Sequence, residues 1–196
     1  MNLRSQLRKD QSSRVVVTSA SSTGSSEMAA ALATSFAASG ERVLIVNAHP
    51  QAKEANSWYA LLTSQRSTTD RYIITLDDQI DLLPATALID KAGNIDLLRL
   101  TGLLDHMRGY GVVLIDTPPL LASPEAVTLA AQANGLVLTV SPNVTKIQDV
   151  KAALVAAHTA QAHVLGFAMA QSVSIKPQPH STLPQPHGNI ELDLQS

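Results

Sequence analysis

Residues 14–28, Arg14-Val15-Val16-Val17-Thr18-Ser19-Ala20-Ser21-Ser22-Thr23-Gly24-Ser25-Ser26-Glu27-Met28, pass from an apolar strand through a turn of small residues into a helix start. This is the layout of a phosphate-binding loop without its chemistry. A working G-x-x-x-x-G-K-[ST] loop needs glycines for close backbone approach, a lysine for the β- and γ-phosphates and a hydroxyl for Mg²⁺. Counted from the strand, Ser26 falls at the lysine position and Glu27 at the hydroxyl position, so Gly24, Ser25, Ser26 and Glu27 form a degenerate nucleotide loop. In that register a carboxylate faces the phosphates. One like-charge pair at about 4 Å and an effective dielectric of roughly 20 costs on the order of 4 kcal/mol, roughly a thousandfold in affinity. Glu27 also suits a first helical turn, where exposed N–H groups favour an anion by about 0.3–1 kcal/mol. It is expected to substitute for the phosphate there.

Outward from the loop, β-branched runs alternate with alanine-rich helical patterns, the mark of βαβ units around a buried parallel sheet. Strands are predicted at Arg14–Ser19, Arg42–Val46, Tyr72–Thr75, Gln79–Leu83, Gly111–Ile115, Gly135–Val140 and His163–Ala168. Most are continuous apolar runs, as burial on both faces requires. Met28, Leu32 and Phe36 recur at helical spacing, as do Ile147, Val150 and Leu154, and each set predicts the buried stripe of an amphipathic helix. Ser39-Gly40 stops the first helix, Pro124 and Glu125 open another after Ser123, and Asn94–Met107 is a further helix candidate. The expected fold class is α/β, a doubly wound, mostly parallel sheet with helices on both faces, P-loop NTPase-like. The expected organisation is a basic N-terminal segment at 1–13, the α/β domain at 14–170 and a flexible tail at 171–196. Four prolines, Pro177, Pro179, Pro184 and Pro186, mark that tail.

Two strand ends carry the remaining site candidates. Val43-Leu44-Ile45-Val46-Asn47-Ala48-His49-Pro50 should open beside the loop at the sheet's ligand-binding edge. Carboxylates there could hold Mg²⁺, but the polar residues are Asn47 and His49, which remove a hard cation's oxygen ligands. A plain strand end turning at Pro50 explains them as well. Tyr110-Gly111-Val112-Val113-Leu114-Ile115-Asp116-Thr117-Pro118-Pro119 delivers a single carboxylate at the end of an apolar strand, the Walker B pattern. Asp116 either orients Mg²⁺ or caps backbone groups at a turn.

The order Thr-Ser-Ala-Ser, Arg-Val-Leu-Ile-Val, Asp-Thr-Pro-Pro-Leu-Leu, Gly-Leu-Val-Leu-Thr-Val and Val-Leu-Gly resembles the cytoplasmic domain of bacterial tyrosine kinases that regulate polysaccharide export, within the wider MinD and ParA family. The resemblance covers about residues 14–170. It implies a loop at Ser19–Glu27, a second acidic motif at Asn47–His49 and a Walker B carboxylate at Asp116, of which only the last matches. Where the family reads roughly Pro-Gly-Glu-Gly-Lys-Ser-Thr, this chain reads Ser22-Thr23-Gly24-Ser25-Ser26-Glu27-Met28. The family's C-terminal tyrosine cluster has no counterpart, since the tyrosines are Tyr59, Tyr72 and Tyr110. Leu3-Arg4 and Leu7-Arg8 resemble the arginine-bearing oligomerisation helix but lack its leading Glu and its Arg spacing.

The resemblance with its losses implies a catalytically degenerate kinase-like protein without catalytic residues or a metal site, with ATP and Mg²⁺ weakly bound or absent. It would act as a regulatory or scaffolding partner of a membrane polysaccharide co-polymerase or related export component. A homo-oligomer is compatible with this. One alternative is an active ATPase or autokinase whose cation comes from Lys53 or Arg42; another is a MinD- or ParA-like positioning protein using Arg4, Arg8 and Lys9. Composition narrows the classes further. The chain has 196 residues, 45% apolar and 15% charged, with net charge −2, which fits one domain and encodes no bulk attraction to nucleic acid or anionic lipid. No cysteine is present, removing thiolate catalysis and Cys-ligated zinc. Without a run of 18 apolar residues or a secretory leader, a cytoplasmic location is expected, peripheral to the inner membrane only through a partner. His106, His158 and His163 lack a paired nucleophile and are expected to be structural, and His180 and His187 are read as solvated tail residues.

Overall fold

The computed structural model describes residues 12–21, 24–49, 68–70, 73–84, 88, 90, 94–106 and 109–170. The N-terminal basic residues up to Gln11, Lys53, Tyr59, the strand start at Tyr72 and the tail from Gln171 lie outside the described residues.

Among the described residues twelve elements follow in the order β1 (Ser13–Ser19), α1 (Ser25–Ala38), β2 (Val43–Asn47), β3 (Thr68–Asp70), β4 (Ile73–Asp77), β5 (Ile80–Leu83), α2 (Leu97–His106), β6 (Val112–Asp116), α3 (Pro124–Gln132), β7 (Gly135–Val140), α4 (Ile147–Thr159) and β8 (Val164–Met169). They form one eight-stranded sheet in the order β3-β4-β5-β2-β6-β1-β7-β8. From β5 to β8 every pairing is parallel, and only β3 with β4 and β4 with β5 run antiparallel. The doubly wound, mostly parallel α/β fold expected from the sequence is thus the observed one. β3 has no counterpart among the predicted strands, because Thr68-Thr69-Asp70 carries no apolar run to signal it.

The central strands are apolar on both sides because both sides are covered. Val15, Val17, Val43, Ile45, Val112 and Leu114 pack with Ala29, Ala33 and Phe36 of α1. The alternate residues Val16, Leu44, Val46, Val113 and Ile115 pack on the other face with Leu100 and Leu104 of α2, Ala126 and Leu129 of α3, and Ala153 and Ala157 of α4. This is the two-sided burial that parallel strands need. The helix stripes differ from expectation. On α1 the buried positions are Ser25, Ala29, Ala33 and Phe36, with Met28 and Leu32 only half-buried at the flank. On α4 they are Ala153 and Ala157, while Ile147 is 74% exposed. Alanine at the contact lets a helix backbone approach the sheet closely, so the large apolar residues are displaced to the margins.

Caps and turns end the helices as the sequence indicates. Ser123 accepts the Ala126 N–H at 3.1 Å and caps α3, whose first turn carries Pro124 and Glu125. Gly40, at φ 83°, follows the end of α1.

At the opposite end of the sheet from the loop, the buried Asp81 accepts from Tyr110 Oη at 2.8 Å and from Arg42 Nη2 at 3.0 Å. The Arg42 guanidinium also lies 5.0 Å from the Tyr110 ring centroid. Arg42 precedes β2 and Asn47 ends it, about 16 Å apart along an extended strand. Arg42 therefore holds Asp81 and does not supply a cation to the loop, which removes one basis for an active ATPase.

Candidate functional site

The first turn of α1 and the ends of β1, β2 and β6 converge at one edge of the sheet. Asn47 and Asp116 are register partners at the last paired position of β2 and β6. Ala48 N–H donates to Asp116 O at 2.8 Å, Thr117 N–H to Val17 O at 3.1 Å and Leu120 N–H to Ser19 O at 2.8 Å. The Thr18 hydroxyl adds a 2.7 Å bond to Pro118 O. These contacts fix the β6 exit, Thr117-Pro118-Pro119, against its neighbours.

Asp116 is 0% exposed, and both its carboxylate oxygens are engaged. Ser26 Oγ donates to Oδ2 at 2.6 Å. His49 Nε2 lies 3.1 Å from Oδ1, donating when that nitrogen carries its proton. Asn47 turns back on its own strand exit, its Oδ1 accepting the His49 N–H at 3.1 Å. An Asx turn of this kind holds the backbone that carries the imidazole. Three residues far apart in sequence, Ser26, His49 and Asp116, thus meet at one carboxylate, with Asn47 positioning the second.

The loop register differs by one residue from the sequence expectation. In working loops the Ser/Thr hydroxyl and the strand-end acid hold the same Mg²⁺. A serine hydroxyl directly on Asp116 therefore places Ser26 at the hydroxyl position and Ser25 at the lysine position. Counting from the strand gives the other register, whereas counting from the helix cap at Gly24 gives this one. Ser25 is buried, with Oγ donating to Thr117 O at 3.3 Å, so a short inward hydroxyl stands where an ammonium would extend. Glu27 is exposed in the first turn of α1. It retains the favourable helix-start location.

Gly24 caps α1 at φ 115°, in the left-handed region. A Cβ there would lie 2.9 Å from Ala170 Cβ. A Gly24→Ala variant should accordingly lose about 1–2 kcal/mol in urea unfolding, because the strained φ and the close Ala170 Cβ, which no side-chain rotation can move, act together.

Sequence reasoning missed Asp149. Its Oδ2 accepts from Ser21 Oγ at 2.7 Å, fastening the loop to the first turn of α4. No periodicity or motif signals such a contact between residues 128 positions apart. Thr139, at the register partner of Ser19, is buried with no hydrogen-bond partner for its hydroxyl. His158 and His163 are exposed rather than packed as structural histidines, and no group of three metal-ligating side chains occurs among the described residues. No described helix is long and apolar enough to cross a membrane.

No protein-family model matches the sequence, and no curated protein matches it. Solved structures do. The kinase domain of the Escherichia coli tyrosine kinase ETK is similar at TM-score 0.64 and 15% identity, over 89% of this chain and 73% of that one. The VpsO kinase domain is similar at TM-score 0.65 and 20% identity, over 86% and 89%. The MinD cell division protein of Aquifex aeolicus is similar at TM-score 0.57 and 16% identity, over 82% and 69%. The chain has the P-loop NTPase-like fold that these bacterial tyrosine-kinase and MinD structures share.

Proposed function

We propose that this P-loop NTPase-like fold belongs to a catalytically degenerate relative of the bacterial tyrosine kinases and serves as a regulatory or scaffolding protein in exopolysaccharide or capsule synthesis and export. The observation that carries the reading is the occupation of Asp116. Its two oxygens are held by Ser26 and by His49, and His49 itself stands where the family has a carboxylate. No lysine or arginine occurs between Val15 and Glu41, so the loop brings no cation of its own. A triphosphate at this edge would meet a serine in place of the ammonium and an imidazole and amide in place of two carboxylates. Hydroxyl and backbone N–H groups at a helix start still attract anions, but without the ammonium and the acidic pair they do not select a Mg²⁺-bound triphosphate. Asp116 thereby becomes part of the protein's own hydrogen-bonding.

The work of such a protein is done by its surface. Its partner on this reading is a membrane polysaccharide co-polymerase or a related export component, and that contact would bring the chain to the inner membrane.

Isothermal calorimetry of the full chain with ATP and Mg²⁺ tests the reading. Affinity weaker than millimolar and no autophosphorylation are expected. Micromolar binding would overturn it in favour of an active ATPase or autokinase with an atypical loop. That second reading draws on one observation, the placement of Ser26 and Asp116 as the pair that holds Mg²⁺ in working loops.

A further inference from the structure

β8 ends the sheet, and no described strand pairs with its outer edge. Ala170 N–H donates to Val140 O on β7 at 2.9 Å, so by alternation the N–H and C=O groups of Phe167 and Met169 point outward from the sheet. The bulge between Val164 and Gly166 lies upstream of this pair. Phe167 and Met169 also expose large side chains, 53% and 68%, while Gly166 and Ala168 give the other face little bulk. Natural proteins commonly blunt an open edge with lysine, proline or an inward charge. Residues 161–170, Gln-Ala-His-Val-Leu-Gly-Phe-Ala-Met-Ala, contain no Asp, Glu, Lys, Arg or Pro.

The exposed apolar surface continues from the strand onto α4. Phe167 is in register with Leu138, a member of the core face that α4 covers. On α4 itself, Ile147 is 74% and Val155 66% exposed. Leu154, Val155 and Val164 line a groove of about 500 Å³ between the end of α4 and the start of β8. With roughly 150–200 Å² for a large side chain, the exposed parts of Phe167, Met169, Ile147 and Val155 amount to on the order of 400–500 Å² of apolar surface. A standard interface takes about 800 Å² from each partner, about 60% of it non-polar, so this patch supplies the apolar area that one side of a dimer needs.

We infer that this face joins two copies of the chain, β8 pairing antiparallel with β8 of a second molecule about a two-fold axis at Phe167. An antiparallel edge is complementary to itself. The outward N–H and C=O of Phe167 exchange both hydrogen bonds with their counterparts, and one patch serves both copies. The two Phe167 rings then form a directly opposed cross-strand aromatic pair, and Met169 on the same face extends the contact. No charged side chain of the strand is set against its own copy, so the repulsion that keeps most edges apart is missing. An uncharged, apolar edge of this kind offers a charged partner nothing to recognise and offers a second copy a matching surface. The inference is independent of the nucleotide site.

Sedimentation velocity of the full chain from about 1 to 200 μM tests it, with a reversible dimer of about micromolar Kd expected. Phe167→Lys sets like charges directly opposite and should weaken that dimer at least about tenfold. Leu98→Lys, at an 87% exposed position on α2, should leave it unchanged. Amide hydrogen exchange reads the same contact without a substitution. The Phe167 and Met169 amides should slow at least about threefold from the lowest to the highest concentration, while the Ala170 amide, already bonded to Val140, stays unchanged. A monomer at every concentration, a dimer that Phe167→Lys leaves intact, or exchange at Phe167 and Met169 that does not depend on concentration would each overturn the inference. If Phe167→Lys lowers the unfolding midpoint, the exchange result on the unaltered chain decides alone.

Discussion

An Asp116→Ala variant is expected to lose about 2–4 kcal/mol of unfolding free energy, measured by urea denaturation without nucleotide. The carboxylate is fully buried, and its Oδ2 and Oδ1 serve Ser26 and His49. Removing it leaves the half-buried Ser26 hydroxyl and the His49 imidazole without this acceptor. Hydrogen bonds to a charged group contribute about 1.5–3 kcal/mol each, and partial rehydration of both partners reduces their sum. A double-mutant cycle with Ser26→Ala should return a coupling of about 1–2 kcal/mol, because the 2.6 Å contact is direct. The opposite outcome is informative. An active site keeps buried charge at a cost in stability, so a variant as stable as the parent, or more so, would mark Asp116 as reserved for a ligand.

The Leu114→Ala substitution should cost still more, about 3–5 kcal/mol. Leu114 lies on β6, the strand between β1 and β2, and is 0% exposed. It packs in the cluster that includes Ala29, Ala33 and Phe36 of α1, the helix whose first turn carries Ser26. The cavity left by the lost side chain cannot collapse easily, because parallel strands on both sides hold the backbone in place. Against a total of about 5–15 kcal/mol for a domain, that loss approaches a third or more of the stability. Leu121→Ala is the control, since Leu121 is 44% exposed and should change stability by no more than about 0.5 kcal/mol. A comparable loss in both variants would show that the β6 core does not dominate.

The two substitutions separate the roles of fold and site. Leu114 holds α1 against the sheet, and Asp116 then captures the hydroxyl that α1 presents. Loss of the second without the first should leave the architecture intact.

The helix faces show where sequence reading stops. Periodicity located α1 and α4 but chose Met28 and Ile147 for the buried stripe, because large apolar residues dominate any pattern. Contact with a sheet at close range instead selects small side chains, and Ala29, Ala33, Ala153 and Ala157 take the core positions. The loop shows the same limit. Strand and helix were both legible, but the length of the turn between them sets which serine meets Asp116, and small polar residues give no sign of it. His49 and Asn47 were legible as losses of carboxylate. Nothing in the sequence indicated that the imidazole would settle on the acid that remains.

Alternation of apolar strands with alanine-rich helices determined by itself the doubly wound sheet, since strands buried on both faces must be apolar throughout and must be joined by crossover helices. It also determined that the loop has no cation and that a single acid ends β6. The tertiary structure alone decided that Ser26 and His49 share that acid and that Asp149 fastens the loop. Those contacts join residues brought together only by the parallel register of β1, β2, β6 and β7, and a hydrogen bond a few ångströms long depends on that register to the residue.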